Sequence, residues 1–209
     1  MVKTAVLVSG GGRNLQSIID SRLFGEIPNC DLAAVISSAP DAYALRRAQS
    51  AGIDCFVVDR ELFPNDSSFN EALFHKLRDL DIELVVLAGF VHRLADNIIH
   101  FYKNRIINVH PALMPAFSGP DMGGCAPHQA AIEAGVRLSG ATAYFVSETP
   151  CMGPIILQQA VPVYFEDTPA LLQERVMEQA EWSILPQAVA LYCAGALSVE
   201  NGRVKIQEQ

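Results

Sequence analysis

An amide and an imidazole stand two residues apart at the end of an apolar run, where Asn108 and His110 follow Ile106 and Ile107. Because side chains alternate along a strand, this spacing places both polar groups on one face, and Pro111 stops the strand directly behind them. A single histidine at a strand end more often makes a structural hydrogen bond. An amide donor beside it, however, can stabilise an oxyanion while the imidazole moves a proton. We therefore predict a catalytic pair.

A glycine-rich turn, residues 9–14 (SGGGRN), joins the first predicted strand to the first predicted helix. Glycines let backbone N–H groups approach a ligand, and a helix N-terminus attracts phosphate. A tight turn without a ligand is the alternative. A dinucleotide site is not favoured, because Leu15 replaces the third glycine and Ser37 and Ser38 end the second strand where an acid should stand. No Gly-Lys-Ser or Gly-Lys-Thr follows, which excludes a P-loop.

Cysteine number and spacing argue against both a disulfide framework and a structural zinc site. The cysteines are odd in number and contain no Cys-x-x-Cys pair; they are Cys30, Cys55, Cys125, Cys151 and Cys193. His92, Cys125 and His128 lack metal-ligand spacing, and we predict no metal site. A reducing cytoplasm fits this cysteine usage.

The elements that position these residues alternate along the first half of the chain, as in βαβ units around a parallel sheet. Predicted strands cover residues 4–8, 32–37, 55–58, 84–87 and 106–110, and predicted helices cover 15–23, 41–51 and 69–80. Prolines and glycines predict a long ordered loop over 111–127. A helix at 128–134, strands at 141–146 and 155–163, a long helix at 168–194 and a hairpin around Asn201 and Gly202 complete the prediction. The fold class is α/β, a single Rossmann-like domain over 1–209 with a mainly parallel sheet and an antiparallel C-terminal extension.

Composition supports one large core, since 50% of the 209 residues are hydrophobic and 18% are charged. The formal net charge is −8, which disfavours nucleic acid or an anionic membrane as a partner. The N-terminal apolar run is too short for a signal peptide, and the longest apolar run, 84–91, is too short to cross a membrane. We expect a soluble cytoplasmic protein with small-molecule substrates, monomeric or homodimeric.

Four stretches resemble the folate-dependent formyltransferase family. They are residues 6–20 (VLVSGGGRNLQSIID), 85–90 (VVLAGF), 107–115 (INVHPALMP) and 153–158 (GPIILQ). They keep the order that the family shows and span most of the chain, and the Asn-x-His-Pro-x-Leu-x-Pro pattern is the most specific of them. The resemblance implies a formyltransferase-type fold. It also implies transfer of a formyl group from 10-formyltetrahydrofolate to the amine of a phosphorylated acceptor, foremost glycinamide ribonucleotide in purine biosynthesis.

The resemblance also implies site residues. Asn108 and His110 would stabilise the oxyanion formed when the amine attacks the formyl carbon, and His110 would assist proton transfer. The acceptor phosphate would lie on Gly11, Gly12, Arg13 and Asn14. The pteridine end of the folate would lie among Phe90, Val91, His92 and Leu94. Glu181 would bind the ribose hydroxyls, although the stretch 175–186 is one residue longer than is usual, which leaves that register open by one.

The chain departs from the family at its third catalytic residue, an Asp in the loop before Gly153, where this sequence has Cys151. A thiol lacks the charge and the two acceptor oxygens of a carboxylate. Glu148 is a tentative replacement, and a nucleophilic Cys151 is less favoured than a small residue filling the loop. A basic residue that the family often has before the third helix is also absent, and Arg13 is expected to compensate.

Two alternatives to the leading function stay open. One is a member of the same family with another formyl acceptor, water included. The other is a ligand-binding homologue that has lost turnover because Cys151 stands at the Asp position. An assay with 10-formyltetrahydrofolate and glycinamide ribonucleotide distinguishes among them.

Overall fold

The computed structural model describes residues 1–119, 121–149 and 152–207 of the chain. Seven strands form one sheet: β1 (Val2–Val8), β2 (Cys30–Ser37), β3 (Asp54–Val57), β4 (Leu84–Leu87), β5 (Ile106–His110), β6 (Leu138–Phe145) and β7 (Ile155–Pro162). Their order across the sheet is β3-β2-β1-β4-β5-β6-β7. The first five strands run parallel, whereas β6 and β7 run antiparallel to their neighbours. The predicted parallel sheet with an antiparallel extension is confirmed.

Helices cover both faces of the sheet and enclose two hydrophobic cores. They are α1 (Arg13–Leu23), α2 (Tyr43–Ser50), α3 (Asp66–Asp79), α4 (Asp96–Phe101), α5 (Ala126–Glu133), α6 (Pro169–Val176) and α7 (Trp182–Cys193). Residues of α1, α2, α5, α6 and α7 join the first core, and residues of α3 and α4 join the second. Alternate residues of β1 divide between the cores, with Val6 in the first and Leu7 in the second. A strand buried on both faces needs this uniformly apolar sequence.

The structure differs from the sequence prediction in three elements. The short helix α4 was not predicted. The helix α5 begins at Ala126, inside the predicted loop, because a proline is tolerated in a first helical turn and Pro127 occupies that place. The predicted long helix over 168–194 is present as α6 and α7, but a π-helical turn that was not predicted, Met177–Glu181, lies between them.

A small hairpin ends the described chain, with β8 (Leu197–Glu200) paired to β9 (Arg203–Ile206). Asn201 and Gly202 both have positive φ, 51° and 75°, as a two-residue hairpin turn requires. The predicted hairpin is confirmed. Within the described ranges, no helix is long and apolar enough to cross a bilayer.

Candidate active site

Three loops meet at one edge of the sheet, because β1, β4 and β5 are parallel neighbours and their carboxyl ends lie side by side. The backbone N–H of Val91, after β4, donates to the Ser9 hydroxyl, after β1, at 3.1 Å. The Ser9 hydroxyl also lies 2.7 Å from that of Ser38, after β2. Ligands of open α/β sheets bind at this edge.

The glycine-rich loop packs against α2. Gly12 has a φ of 71°, and a Cβ there would lie 2.6 Å from the Cβ of Ala44, so only glycine fits. The Arg47 guanidinium, on the same helix, donates to the Gly11 carbonyl at 2.9 Å, which ties the loop to α2. Added Cβ atoms at Gly10 and Gly11 would meet nothing within 4 Å. The loop therefore presents bare backbone to open space.

A cavity of about 210 Å³ lies against this loop. Its lining consists of Gly10, Gly11, Gly12, Arg13, Asn14, Ala88, Gly89 and Met177. No side chain caps the N-terminus of α1, which begins at Arg13, so its first N–H groups keep their hydrogen-bonding capacity for a ligand. The predicted phosphate-binding residues thus line one cavity, and the N–H groups at the start of α1 can bind an anion there.

Glu181, distant in sequence, is hydrogen-bonded to Asn14 of the cavity lining. Its Oε2 accepts a 2.6 Å hydrogen bond from Asn14 Nδ2, and its side chain is 7% exposed. Burial raises the pKa of the Glu181 carboxyl, while the hydrogen bond from Asn14 and the charges of Arg13 and His110 oppose that rise. Asn14 Oδ1 is buried and has no hydrogen-bond partner among the described residues, so it remains available to a donor on a ligand.

The π-helical turn explains how Glu181 arrives there. An extra residue in a helix shifts the following side chains around the axis, and a π turn takes up that residue without breaking the helix. Met177, at the other end of the same turn, lines the cavity. The stretch 175–186, noted in the sequence as one residue longer than usual, therefore contains the π-helical turn. Glu181, at the end of that turn, faces inward.

The catalytic pair lies at the end of β5. Asn108 Nδ2 donates to the Tyr144 hydroxyl on β6 at 2.9 Å. His110 is 4% exposed, and its Nε2 donates to the Phe117 carbonyl at 2.9 Å. A carbonyl can only accept, so this contact assigns the ring hydrogen to Nε2. Both side chains are thereby oriented by neighbours.

The loop that supplies the Phe117 carbonyl is anchored from β6. The Thr142 hydroxyl donates to the Ala112 carbonyl at 2.7 Å and accepts from the Met114 N–H at 3.0 Å. Gln158 donates to both the Met114 carbonyl and the Thr142 hydroxyl at 3.0 Å. This network keeps the wall behind His110 in place.

A second histidine, His128 on α5, was considered from the sequence only as a metal ligand. It is fully buried, and neither ring nitrogen has a hydrogen-bond partner among the described residues. Burial and, to a lesser extent, the charge of His110 lower the pKa of His128 to about 4. His128 is therefore neutral at neutral pH and lies within electrostatic range of His110. The only sequence signal that His128 interacts with His110 was the position of His128 at the end of the proline-rich loop.

The four predicted folate-binding residues separate into two groups. Phe90 stacks on Phe69 with ring centroids 6.4 Å apart, and His92 meets both rings edge-on. Val91 is 77% exposed beside them. Leu94 is 3% exposed and packs in the second core. The structure thus brings Phe90, Val91 and His92 to the surface beside the site and buries Leu94 beneath them.

The loop after β6 carries Glu148, the predicted replacement for the third catalytic group. The Glu148 carboxylate lies 2.5 Å from His100 Nε2 on α4, and the Glu148 carbonyl accepts from Arg93 at 3.2 Å. In this arrangement Glu148 is exposed and engaged with α4 rather than with His110. Cys151 lies outside the described residues. No group of three or more His, Cys, Asp or Glu in the described part of the chain could hold a metal ion.

Comparison with known proteins shows the family of the chain. A family model described as formyl transferase matches residues 2–189. The phosphoribosylglycinamide formyltransferase of Haemophilus influenzae is 38% identical over 96% of this chain and 92% of its own length. The chain is also 38% identical to the trifunctional purine biosynthetic protein adenosine-3 of Gallus gallus, over 97% of this chain, and spans 20% of that protein's length.

A solved structure gives the same result for the fold. The crystal structure of glycinamide ribonucleotide transformylase 1 from Symbiobacterium toebii has a TM-score of 0.92 to this chain. It is 40% identical, and the match covers 100% of this chain and 95% of that one. Since the family match extends over most of the residues, from the glycine-rich loop through the catalytic strand to α7, the chain belongs to the formyl transferase family.

Proposed function

We propose that this protein is a transferase that moves a formyl group from 10-formyltetrahydrofolate to the amine of glycinamide ribonucleotide, a step of purine biosynthesis. The observation that carries the proposal is the position of Glu181. It is hydrogen-bonded to Asn14 of the phosphate loop. That loop and the catalytic pair follow β1 and β5, which are parallel strands separated only by β4, so an acceptor held at the loop lies at the same sheet edge as the pair. Two relatives named above carry the same activity in their names.

The geometry assigns a role to each group. The acceptor phosphate lies on the backbone of the loop 10–14, with Arg13 adding charge, and the ribose hydroxyls donate to Glu181. The amine nitrogen attacks the formyl carbon, and Asn108 donates to the tetrahedral oxyanion; His110, whose Nε2 hydrogen is held by the Phe117 carbonyl, stabilises the oxyanion as a cation once Nδ1 has taken up a proton. His110 helps the amine lose a proton, the bond from the formyl carbon to N10 of the folate breaks, and N10 takes up a proton. The products are the formamide and tetrahydrofolate.

The folate donor is proposed to lie over Phe90, Val91 and His92, with Leu94 supporting them from the core. The half-buried rings of Phe90 and His92, with the exposed side chain of Val91, offer apolar and aromatic contacts for a pteridine. We propose small molecules as the substrates, without nucleic acid or membrane, because the net charge is −8. We further propose a cytoplasmic protein, monomeric or homodimeric.

A steady-state assay of the purified protein tests the function. With both substrates present, tetrahydrofolate should form at a rate that saturates in each. Omitting glycinamide ribonucleotide should stop the reaction. Release of tetrahydrofolate without the acceptor would indicate water as acceptor. Binding of both ligands without turnover would indicate a homologue that has lost catalysis, and either result overturns the proposal.

Replacing Arg13 with alanine should raise the KM for glycinamide ribonucleotide about tenfold and leave the KM for the folate nearly unchanged, because only the acceptor carries the phosphate. The measurement is steady-state kinetics with each substrate varied in turn. Arg46→Ala is the matched control, since Arg46 is an exposed arginine on the neighbouring α2. Equal changes in both KM values would remove Arg13 from the phosphate site.

We also propose that Glu148 supplies the carboxylate missing at Cys151, by leaving His100 when substrates bind. Glu148→Gln should then lower kcat about 100-fold or more, whereas Cys151→Ser should change it little. His100→Ala is the matched control, because it breaks the same ion pair but keeps the carboxylate. If Glu148→Gln and His100→Ala have equal, small effects, Glu148 only ties its loop to α4. A large loss in Cys151→Ser alone would move the role to Cys151.

A further inference from the structure

Two buried cysteines, 163 positions apart in the sequence, meet in the first core on the side of the molecule away from the active site. Cys30 is the first residue of β2, and Cys193 is the last residue of α7, which packs against that strand. They are 4% and 8% exposed. Because β2 runs parallel to β1, Cys30 lies at the amino-terminal edge of the sheet, whereas the active-site loops leave the carboxyl-terminal edge.

A hydroxyl joins the two thiols into a small polar cluster. The Cys30 thiol donates to the Thr4 hydroxyl at 3.4 Å, and the Cys193 thiol interacts with the same hydroxyl and with Cys30. Thr4 is completely buried, and its hydroxyl donates onward to the Val2 carbonyl at 3.1 Å. Cys30, Thr4 and Cys193 thus form one buried cluster in the first core, which joins the start of β2 to the end of α7.

The two sulfurs differ in reactivity. A hydrogen bond from the Cys193 thiol lowers the pKa of Cys30 to about 7, although burial opposes this. The interaction with Cys30, together with burial, raises the pKa of Cys193. The thiolate is the nucleophile in thiol oxidation, so Cys30 is the thiol that reacts first and Cys193 is the thiol that resolves.

We propose that Cys30 and Cys193 form a reversible oxidation site, at which a peroxide converts the two thiols into a disulfide that joins β2 to α7. The Cys30 thiolate attacks one oxygen of hydrogen peroxide, the O–O bond breaks, and the departing hydroxide takes up a proton to form water. Cys30 is then a sulfenic acid. The Cys193 sulfur attacks the Cys30 sulfur, the S–O bond breaks, and the Cys193 proton leaves with the hydroxide as a second water. Two electrons pass from the thiols to the peroxide, and a dithiol reverses the step.

The expected consequence is stabilisation without loss of activity. The new bond closes a loop that includes most of the chain, which restricts the unfolded state. The bond lies at the edge of the sheet opposite to Asn108 and His110, so it leaves the catalytic loops in place. The oxidised protein should therefore unfold at a higher temperature and keep its ligand sites. This inference does not depend on the proposed function.

The test uses the full-length protein, reduced, freed of reductant and treated with hydrogen peroxide. Intact mass under denaturing conditions should fall by about 2 Da, and proteolytic mapping should recover a Cys30–Cys193 peptide pair. The Tm should rise by roughly 5–10 °C and return after treatment with dithiothreitol. The Cys193→Ser variant should stop at the Cys30 sulfenic acid, about 16 Da heavier, which a dimedone probe captures.

Cys125→Ser is the matched control, because Cys125 is an exposed thiol in a different loop and its loss should leave the disulfide unchanged. The proposal is overturned if mapping finds both Cys30 and Cys193 alkylated after oxidation, or a disulfide that involves another cysteine. A mass change of about 2 Da with a lowered Tm would also overturn it. If Cys193→Ser does not fold, mapping of the wild-type protein decides by itself.

Discussion

Replacing His110 with alanine should lower kcat for formyl transfer by about 10²- to 10⁴-fold, the range for loss of a general acid–base group. The KM values of both substrates should change little, because His110 acts on the tetrahedral intermediate and hardly on the bound ground state. Steady-state kinetics measures this. A loss of less than threefold would contradict the proposed role.

His110→Gln separates chemistry from structure. His110 is buried and donates to the Phe117 carbonyl, so the alanine variant also loosens the loop behind the site. The glutamine amide can still donate to that carbonyl but cannot exchange a proton near neutral pH. The glutamine variant should therefore recover the Tm of the wild type and stay slow. If it recovers activity as well, the histidine only positions the loop.

Replacing Asn108 with alanine should lower kcat by about 10²- to 10³-fold, the usual cost of removing one oxyanion donor. The amide of Asn108 is oriented by the Tyr144 hydroxyl 2.9 Å away. Tyr144→Phe is the matched variant, since it removes that hydroxyl and leaves the amide. We expect it to lose less than about tenfold, because the donor is still present.

Asn108→Asp gives the sharper test of the same role. An ionised aspartate has nearly the shape of asparagine but can only accept hydrogen bonds, and its charge repels an oxyanion. It should be at least as slow as the alanine variant, with kcat as the measured quantity. Activity retained in Asn108→Asp would show that the amide does not act as a donor in the transition state.

Most of the fold was predicted from the sequence because apolar runs and backbone angles are properties of short segments. The uniformly apolar residues 84–87 predicted a strand buried on both faces, and β4 has those bounds. Gly12, Asn201 and Gly202 all have a positive φ, which few other residue types adopt. This backbone requirement explains why these residues stand at their turns. Helix α4 was missed, because its six residues are too few for a periodic pattern.

The proposed catalytic pair was predicted from the sequence alone, since two residues on one strand share a face through their spacing. The family resemblance singled out Glu181, but only the tertiary structure shows how the π-helical turn aims it at Asn14. Local periodicity could not foresee that turn, because one inserted residue changes the direction of every side chain after it.

Which distant residues interact depends on the tertiary structure. The electrostatic effect of His110 on His128, the pairing of Glu148 with His100 and the interaction of Cys30 with Cys193 each join separate segments. Short-range patterns encode backbone angles and the buried face of an element. The distance between two elements depends on how all of them pack into the cores, which no single segment contains.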